Sequence, residues 1–589
     1  MNGAGQLAFV GAGWPLVRAV LSLWRGMASQ HAKQTFGENS MRYAAPVLAI
    51  SMLLAPAAVM AGEQVSFDPD AVRAHVTFLA DDTMDGRMSG SKGYAIAANY
   101  VATQFMGMGA APMGDPAKGS YYQQVSLRES SLVGQPVVTI TGKGKTWRLD
   151  SRDQVLTGPN PAEEQQVVEA PLVFAGFGMD RPELGLNDYA GLDVKGKIVV
   201  LLSGYPKGLN SELGAHLSAD KARMAMKRGA IGVFTVPTKE DTSRRSWKRR
   251  AEMSGEPRSN WLQADGKPFL RAPGIRADAS INPDVAAQFF GTGQQSLAAV
   301  LAEADKKGGK PKGFALGVTA KLERTSKFRP YSSPNVIAMI PGSDPSVADE
   351  YVLMTAHLDH IGDHGKGDDK INNGAMDNAA GIATMLEVAK ALSKDGKRPR
   401  RPILFAAVTN EEGGLLGSEY LARNPVTGNG TGVGKVVAVV NFDMPILTYR
   451  FTDVVAFGAE NSTLGPVVAK AASTAGIALS PDPLPEEGLF TRSDHYRFVQ
   501  QGIPSVFLMT GHAGPGKQAF NDFLAKNYHQ PSDDLKLPFD WVAGAKFAEV
   551  NYYIVRAIAD EAQAPRWYGD SFFGKEFAPA AAKAERPKQ

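Results

Sequence analysis

The chain contains no cysteine. Disulfides, thiolate metal sites and cysteine nucleophiles are therefore excluded, and any transition metal must be held by histidine, aspartate and glutamate. An excess of one charge is also lacking. The 63 basic residues face 60 acidic ones, a net charge of +3, and nothing in that balance points to nucleic acid as a partner. What is there is ordinary for a soluble globular protein: 44% hydrophobic and 21% charged residues. A length of 589 residues is too great for one core, so two or more domains are expected.

Residues 41–61 form an apolar stretch behind Arg42 that ends in small residues, with Val59 and Ala61 suiting the −3 and −1 positions of a signal peptidase site. Cleavage after Ala61 and export to the periplasm or the exterior are expected, with no stable membrane insertion afterwards. The true start is expected at Met41 rather than Met1. The competing reading is an uncleaved anchor over Tyr43 to Ala61, just long enough to cross a bilayer.

The mature chain opens with helical periodicity over Asp68 to Met108, interrupted by a polar, glycine-containing loop at Asp81–Gly90. From about Gly134 short β-type runs follow: Pro136–Ile140, Glu169–Phe174, Lys197–Leu202 and Ala230–Val236, with one helix at Ala219–Arg228. This block resembles the protease-associated domain, a small β-rich module inserted in several secreted peptidases. The basic run Arg244 to Arg250 has acids on both sides and reads as a solvated loop. From Asn335 apolar strands alternate with helices. Val336–Ile340, Tyr351–Thr355, Ile403–Val408, Val436–Val440 and Ser505–Met509 read as strands, Gly381–Ser393 and Asp540–Ala559 as helices. That alternation predicts an α/β fold, a mostly parallel sheet with helices on both faces. Lys575 to Gln589 is expected to fray. The expected segments are 1–61 (N-terminal extension and signal peptide), 62–133 and 326–562 (main domain), 134–325 (insert) and 563–589 (tail).

Five places put an acid or a histidine where an apolar strand runs out or at the mouth of a helix. They are Ala356-His357-Leu358-Asp359, Met376-Asp377-Asn378, Asn410-Glu411-Glu412-Gly413, Asn441-Phe442-Asp443 and Tyr528-His529-Gln530-Pro531-Ser532-Asp533. In a parallel sheet such ends share one edge, where ligand sites form. Adjacent glutamates at a strand end are costly unless a cation sits between them. A divalent metal answers that cost: one carboxylate binds it and the other handles a proton beside it.

These residues and their order resemble the co-catalytic dinuclear zinc peptidases, the family of bacterial leucyl aminopeptidases and glutamate carboxypeptidases. The resemblance covers about Asp68 to Leu132 and Asn335 to Ala559, with the β-rich block as an insert. It implies two zinc ions per chain. His357 and Asp443 would bind one, Glu412 and His529 the other, and Asp377 would bridge both. Glu411 would be the general base, Tyr528 an oxyanion donor, and Asp359 would orient the ring of His357. Asp533 would bond His529, and Ser493, Asp494 and His495 would support the site, with a plain helix N-cap as the alternative for that last motif. The Asp377–Asn378 bond would be cis.

The resemblance implies peptide substrates and an aminopeptidase. A carboxypeptidase or dipeptidase on the same site, a single-zinc glutaminyl cyclase and a receptor-like binding protein stay open as rivals. His360 and His364 read as solvated loop histidines, and His75, His216 and His512 carry no motif context.

Overall fold

One strand, Phe314–Ile340, runs through two apolar cores. Its first part alternates buried Phe314, Leu316, Val318, Ala320 and Leu322 with less buried neighbours, the period-two pattern of a half-wet strand. That part pairs antiparallel with Gln165–Phe174 and Val137–Gly142. Ser326 to Val336 pair with Tyr122–Leu132, and Val336 to Ile340 with Ile403–Val408. The structure, a computed structural model, describes residues 65–587 apart from 253, 292–293, 364–366 and 427–434. The expected signal peptide, the choice of start and His364 lie outside the described residues.

Ile403–Val408, Glu350–His357, Lys435–Phe442 and Ser505–Thr510 lie side by side in parallel. They are near-continuous apolar runs because both faces are covered. Pro69–Leu79, Lys92–Gly107, Ala380–Lys394, Leu464–Thr474 and Trp541–Asp560 pack on one face, Leu416–Arg423 and His495–Val499 on the other. The expected α/β architecture is what the chain adopts. Antiparallel strands flank its parallel centre: Val336 to Ile340 on one side and Asp453–Phe457 on the other.

Residues 134–325 build a second core around Val138, Phe174, Val200, Phe234 and Phe289. Here Gln165–Phe174, Ile198–Leu202, Gly232–Val236 and Ala277–Ile281 pair in parallel. The segment also carries Ser211–Ala219, Lys221–Lys227, Pro283–Phe290 and Leu297–Ala304, more helix than the single one expected. The basic run is exposed as expected, but it forms parts of two short helices, with Arg244 on Glu240 at 3.1 Å and Arg249 near Glu252 at 3.6 Å. The tail corrects its expectation. Instead of fraying it docks as far as residue 587: Arg586 forks onto Asp570 at 2.8 and 3.0 Å and donates to the carbonyl of Glu460 at 2.7 Å. Among the described residues no helix is long and apolar enough to cross a membrane.

Candidate metal centre

The parallel strands deliver their C-terminal ends to one edge. His357 closes Glu350–His357, Glu411 and Glu412 follow Ile403–Val408 after two residues, and Asp443 directly follows Lys435–Phe442. Asp377 lies in the turn leading into Ala380–Lys394, and His529 in the loop beyond Gly516–Lys526. Asn410, Met444 and His529 have φ of +57°, +45° and +56°. Side chains rarely adopt that left-handed region, at a cost of roughly 1–3 kcal/mol each, and it recurs where a site dictates backbone direction.

The five expected ligands converge. Nε2 of His357 lies 3.2 Å from Asp377 Oδ1 and 3.2 Å from Asp443 Oδ1. Nε2 of His529 lies 3.4 Å from Asp377 Oδ2 and 3.1 Å from Glu412 Oε2. Asp377 thus turns one oxygen to each imidazole. Burial alone would lower the pKa of His357, but Asp443, Glu411 and Asp377 outweigh it and hold it well above the usual value. The paired glutamates diverge. Burial, opposed by His357 but reinforced by Asp443, Asp494 and Glu412, pushes Glu411 well up. Burial and Asp377 would raise Glu412 too, but His360 and His529 hold it at about 2. Among the described residues no histidine bonds Glu411.

The supporting residues divide. Asp359 does contact His357, but through its carbonyl oxygen, which accepts from Nδ1 at 3.0 Å. Its carboxylate instead accepts from the amides of Glu411 at 3.1 Å and Glu412 at 3.4 Å. Asp533 does not bond His529, contrary to expectation. It grips the amides of Met376 at 2.8 Å and Asp377 at 3.0 Å, because the loop carries its carboxylate beneath the Asp377 turn. Ser493 donates to Asp443 Oδ2 at 2.6 Å and accepts from Asn441 at 2.8 Å. Asp494 makes no capping bond. It is buried near Glu411 and Asp443, where burial pushes it up to about 7. His495 does not reach the site: it packs between the rings of Phe490 and Phe507, at 5.2 and 5.4 Å. The Asp377–Asn378 bond is cis, as expected.

Two residues at the site were not legible as such. His360, expected in solvent, is 1% exposed, and its Nδ1 meets Glu412 Oε1 at 2.7 Å. Its only sequence signal is its place one residue after Asp359. Arg87, from the loop after the first helix, is 1% exposed. Its guanidinium donates to the carbonyls of Leu79, Leu358, Asn373 and Gly374, tying the loops behind His357 and Asp377 together. Burial lowers its pKa to about 10, against the pull of Asp533, Asp377 and Asp359.

The site opens into a cavity of about 260 Å³. Glu411, Glu412, Asp377, Asp443, His357, Tyr528 and His529 line it beside an apolar wall of Met444, Leu489, Phe507, Met509, Phe520 and Leu524. Glu487 and Arg492, 3.4 Å apart, also line it. Tyr528 stacks on the His529 ring at 3.9 Å between centroids. Donor atoms of His357, Asp377 and Glu412 lie within 4.8 Å of one another. Four carboxylates around two imidazoles are costly to bury without a cation, and imidazole nitrogen with carboxylate oxygen is the donor set of catalytic zinc sites. The residues present therefore fit divalent metal.

Residues 335–555 match the family described as Peptidase family M28. The chain is 27% identical to leupeptin-inactivating enzyme 1 of Streptomyces exfoliatus over 46% of its length and 58% of that protein's. It is 29% identical to a probable leucine aminopeptidase 2 of Aspergillus oryzae over 37% of its length and 43% of that protein's. The chain thus spans about half the length of these relatives. Among solved structures, an aminopeptidase from Aneurinibacillus sp. strain AM-1 aligns over 90% of this chain and 100% of its own, with 19% identity and a TM-score of 0.47.

Proposed function

We propose, because residues 335–555 match the family described as Peptidase family M28, that this chain is an exported zinc-dependent exopeptidase, specifically an aminopeptidase releasing N-terminal residues. One observation carries the proposal: the two oxygens of Asp377 face His357 and His529 separately, each imidazole also meeting its own second carboxylate. That arrangement supports two zinc ions per chain. His357 and Asp443 would hold one, His529 and Glu412 the other, with Asp377 shared. When bound, the ions supply Lewis acidity, acidifying water and polarising the scissile carbonyl.

The chain's own groups do the rest. Glu411, which no histidine among the described residues bonds, takes the proton of the attacking water and returns it to the leaving amine. The phenol of Tyr528 donates to the developing oxyanion. Asp359 holds the amides of Glu411 and Glu412, so the base and the ligand beside it keep one relative position. The apolar wall receives a side chain and excludes water. The carboxylates of the cavity suit a free amine, and the names of the relatives, leucine aminopeptidase among them, support the same end of the peptide. Arg492 at the cavity wall favours a second reading, since a guanidinium there could take a C-terminal carboxylate in a carboxypeptidase or dipeptidase. We assign 1–61 to an N-terminal extension and signal peptide, 134–325 to an inserted domain, 62–133 with 326–562 to the peptidase, and 563–589 to a tail.

Amino-acid anilides against N-blocked peptides test the direction; cleavage of the blocked peptides alone would favour the second reading. Glu411→Gln tests the base. Zinc content should be unchanged and turnover should fall by at least about a hundredfold; full turnover would remove Glu411 from the role.

A further inference from the structure

The insert reaches the glutamate turn from behind. Its strand Arg258–Trp261 pairs antiparallel with Leu127 to Ser130, which places Trp261 and the following segment against Leu416–Arg423, the helix that begins just after the turn. Trp261 is 6% exposed. It stacks on Phe269 at 4.4 Å, meets the edge of Tyr420 at 5.5 Å and donates through Nε1 to Glu419 Oε2 at 3.3 Å. Arg271 forks onto the same carboxylate, Nε to Oε1 at 2.9 Å and one terminal nitrogen to Oε2 at 3.2 Å. That terminal nitrogen also reaches the carbonyl of Gly414 at 3.4 Å, where Arg497 donates from the other side at 3.2 Å.

Gly414 is part of the turn itself. The amides of Gly414 and Leu415 both donate to the carbonyl of Glu411 at 2.8 Å. A second line runs in parallel: Ser259 meets the phenol of Tyr331 at 2.7 Å, and that phenol accepts from Asn410 at 2.7 Å, the residue before Glu411. Asn410 and Leu415 are both left-handed, at φ +57° and +62°, so the turn between them needs outside constraint. Glu419, 3% exposed, is a buried anion that needs its partners to stay in place.

We propose that residues 258–271 of the insert are a brace for the Glu411–Glu412 turn, with Arg271 as a positioning residue that acts on the general base through Glu419 and the Gly414 carbonyl. The insert is then a working part of the active site. This rests on the reading of Glu411 and Glu412 given above. Displacing a reacting group by about 1 Å can cost about a hundredfold in rate, and a point charge replaces a guanidinium fork only in part.

The test uses the full chain loaded with zinc, an amino-acid anilide, and amide hydrogen exchange with and without zinc. Arg271 is half exposed, with 48% of its side chain accessible, so Arg271→Met should fold. Its kcat should fall about tenfold to a hundredfold, with KM within about twofold, zinc content unchanged and faster exchange at residues 411–415. Arg271→Lys should recover part of the loss, and Ser259→Ala, which touches only the second line, should lose less. Unchanged kcat or unchanged exchange in Arg271→Met, with Glu411→Gln inactive, would overturn the brace. Full turnover in Glu411→Gln would overturn the functional reading and the brace with it.

Discussion

The two halves of the proposed metal centre are built differently. The half at His357 and Asp443 stands on strand ends, with 1% and 11% of those side chains accessible. The half at His529 stands on a loop, with 35% of its side chain accessible and its backbone at φ +56°. Strand ends are fixed by neighbours on both sides of a sheet, whereas a loop residue is fixed mainly by the contacts its own side chain makes. Rigidity therefore grades across about one carboxylate, that of Asp377, from a buried end to an end that faces the cavity.

The largest effect expected from that gradient is on metal content. A chelator should remove zinc in two stages, the first from the His529 and Glu412 half. His529→Ala should keep about one zinc per chain with turnover down at least about a hundredfold. His357→Ala should lose more zinc, because the Asp377 carboxylate, which would serve both ions, then lacks its fixed partner. Equal losses from the two variants, measured by metal analysis after the same dialysis, would erase the distinction between the halves.

A smaller effect is expected one shell out. Asp533 holds the Met376 and Asp377 amides, so it fixes the residue both halves share. Asp533→Asn puts an NH2 donor where one of the two carboxylate oxygens accepted, so either the Met376 or the Asp377 amide is left buried without an acceptor, at about 1–3 kcal/mol. Zinc affinity should drop about tenfold, the scale of outer-shell losses, and the drop should be shared by both ions. A loss confined to the His529 half would mean that Asp533 serves only the loop.

The same contrast explains what could be read in advance. His357, Glu411, Glu412 and Asp443 were legible because long apolar runs stop abruptly at them, and a buried strand end leaves few places for an acid to go. Asp533, His360 and Arg87 were not legible in their roles, because they act on backbone groups or on a ligand's far oxygen that only loop paths bring near. Ser493 does sit against Asp443, but His495, two residues on, belongs to an aromatic core. Most of the strand Phe314–Ile340 escaped notice for a plainer reason. Before Val336 it alternates with Lys, Glu, Arg and Thr, and Gly317 interrupts its pairing, so only its apolar end looked like a strand.

The mildest expected effect lies away from the proposed metal site, where residues 134–325 meet Tyr496 and the C-terminal aromatic residues. His216, on Ser211–Ala219, is 2% exposed among Tyr496, Phe572, Phe573 and Phe577, and its Nδ1 shares a hydrogen bond with the Tyr496 hydroxyl at 2.7 Å. Burial lowers its pKa from 6.5 to about 4, with Glu576 opposing and Arg223 and Arg181 adding to the shift. Between those values the unfolded chain binds the extra proton and the folded chain does not. Stability from this group is therefore complete above pH 6.5 and drains away as pH falls through about 4. The shift corresponds to about 3 kcal/mol, with no effect on turnover near neutrality. His216→Gln keeps an acceptor for Tyr496 but cannot take the proton, so its urea midpoint should fall less than the parent's between pH 7.5 and 4. Parallel falls in the two proteins would mean that the ring takes its proton without opening the junction. Residues 134–325 would then be held against the rest of the chain by the Arg271 and Trp261 side of the contact.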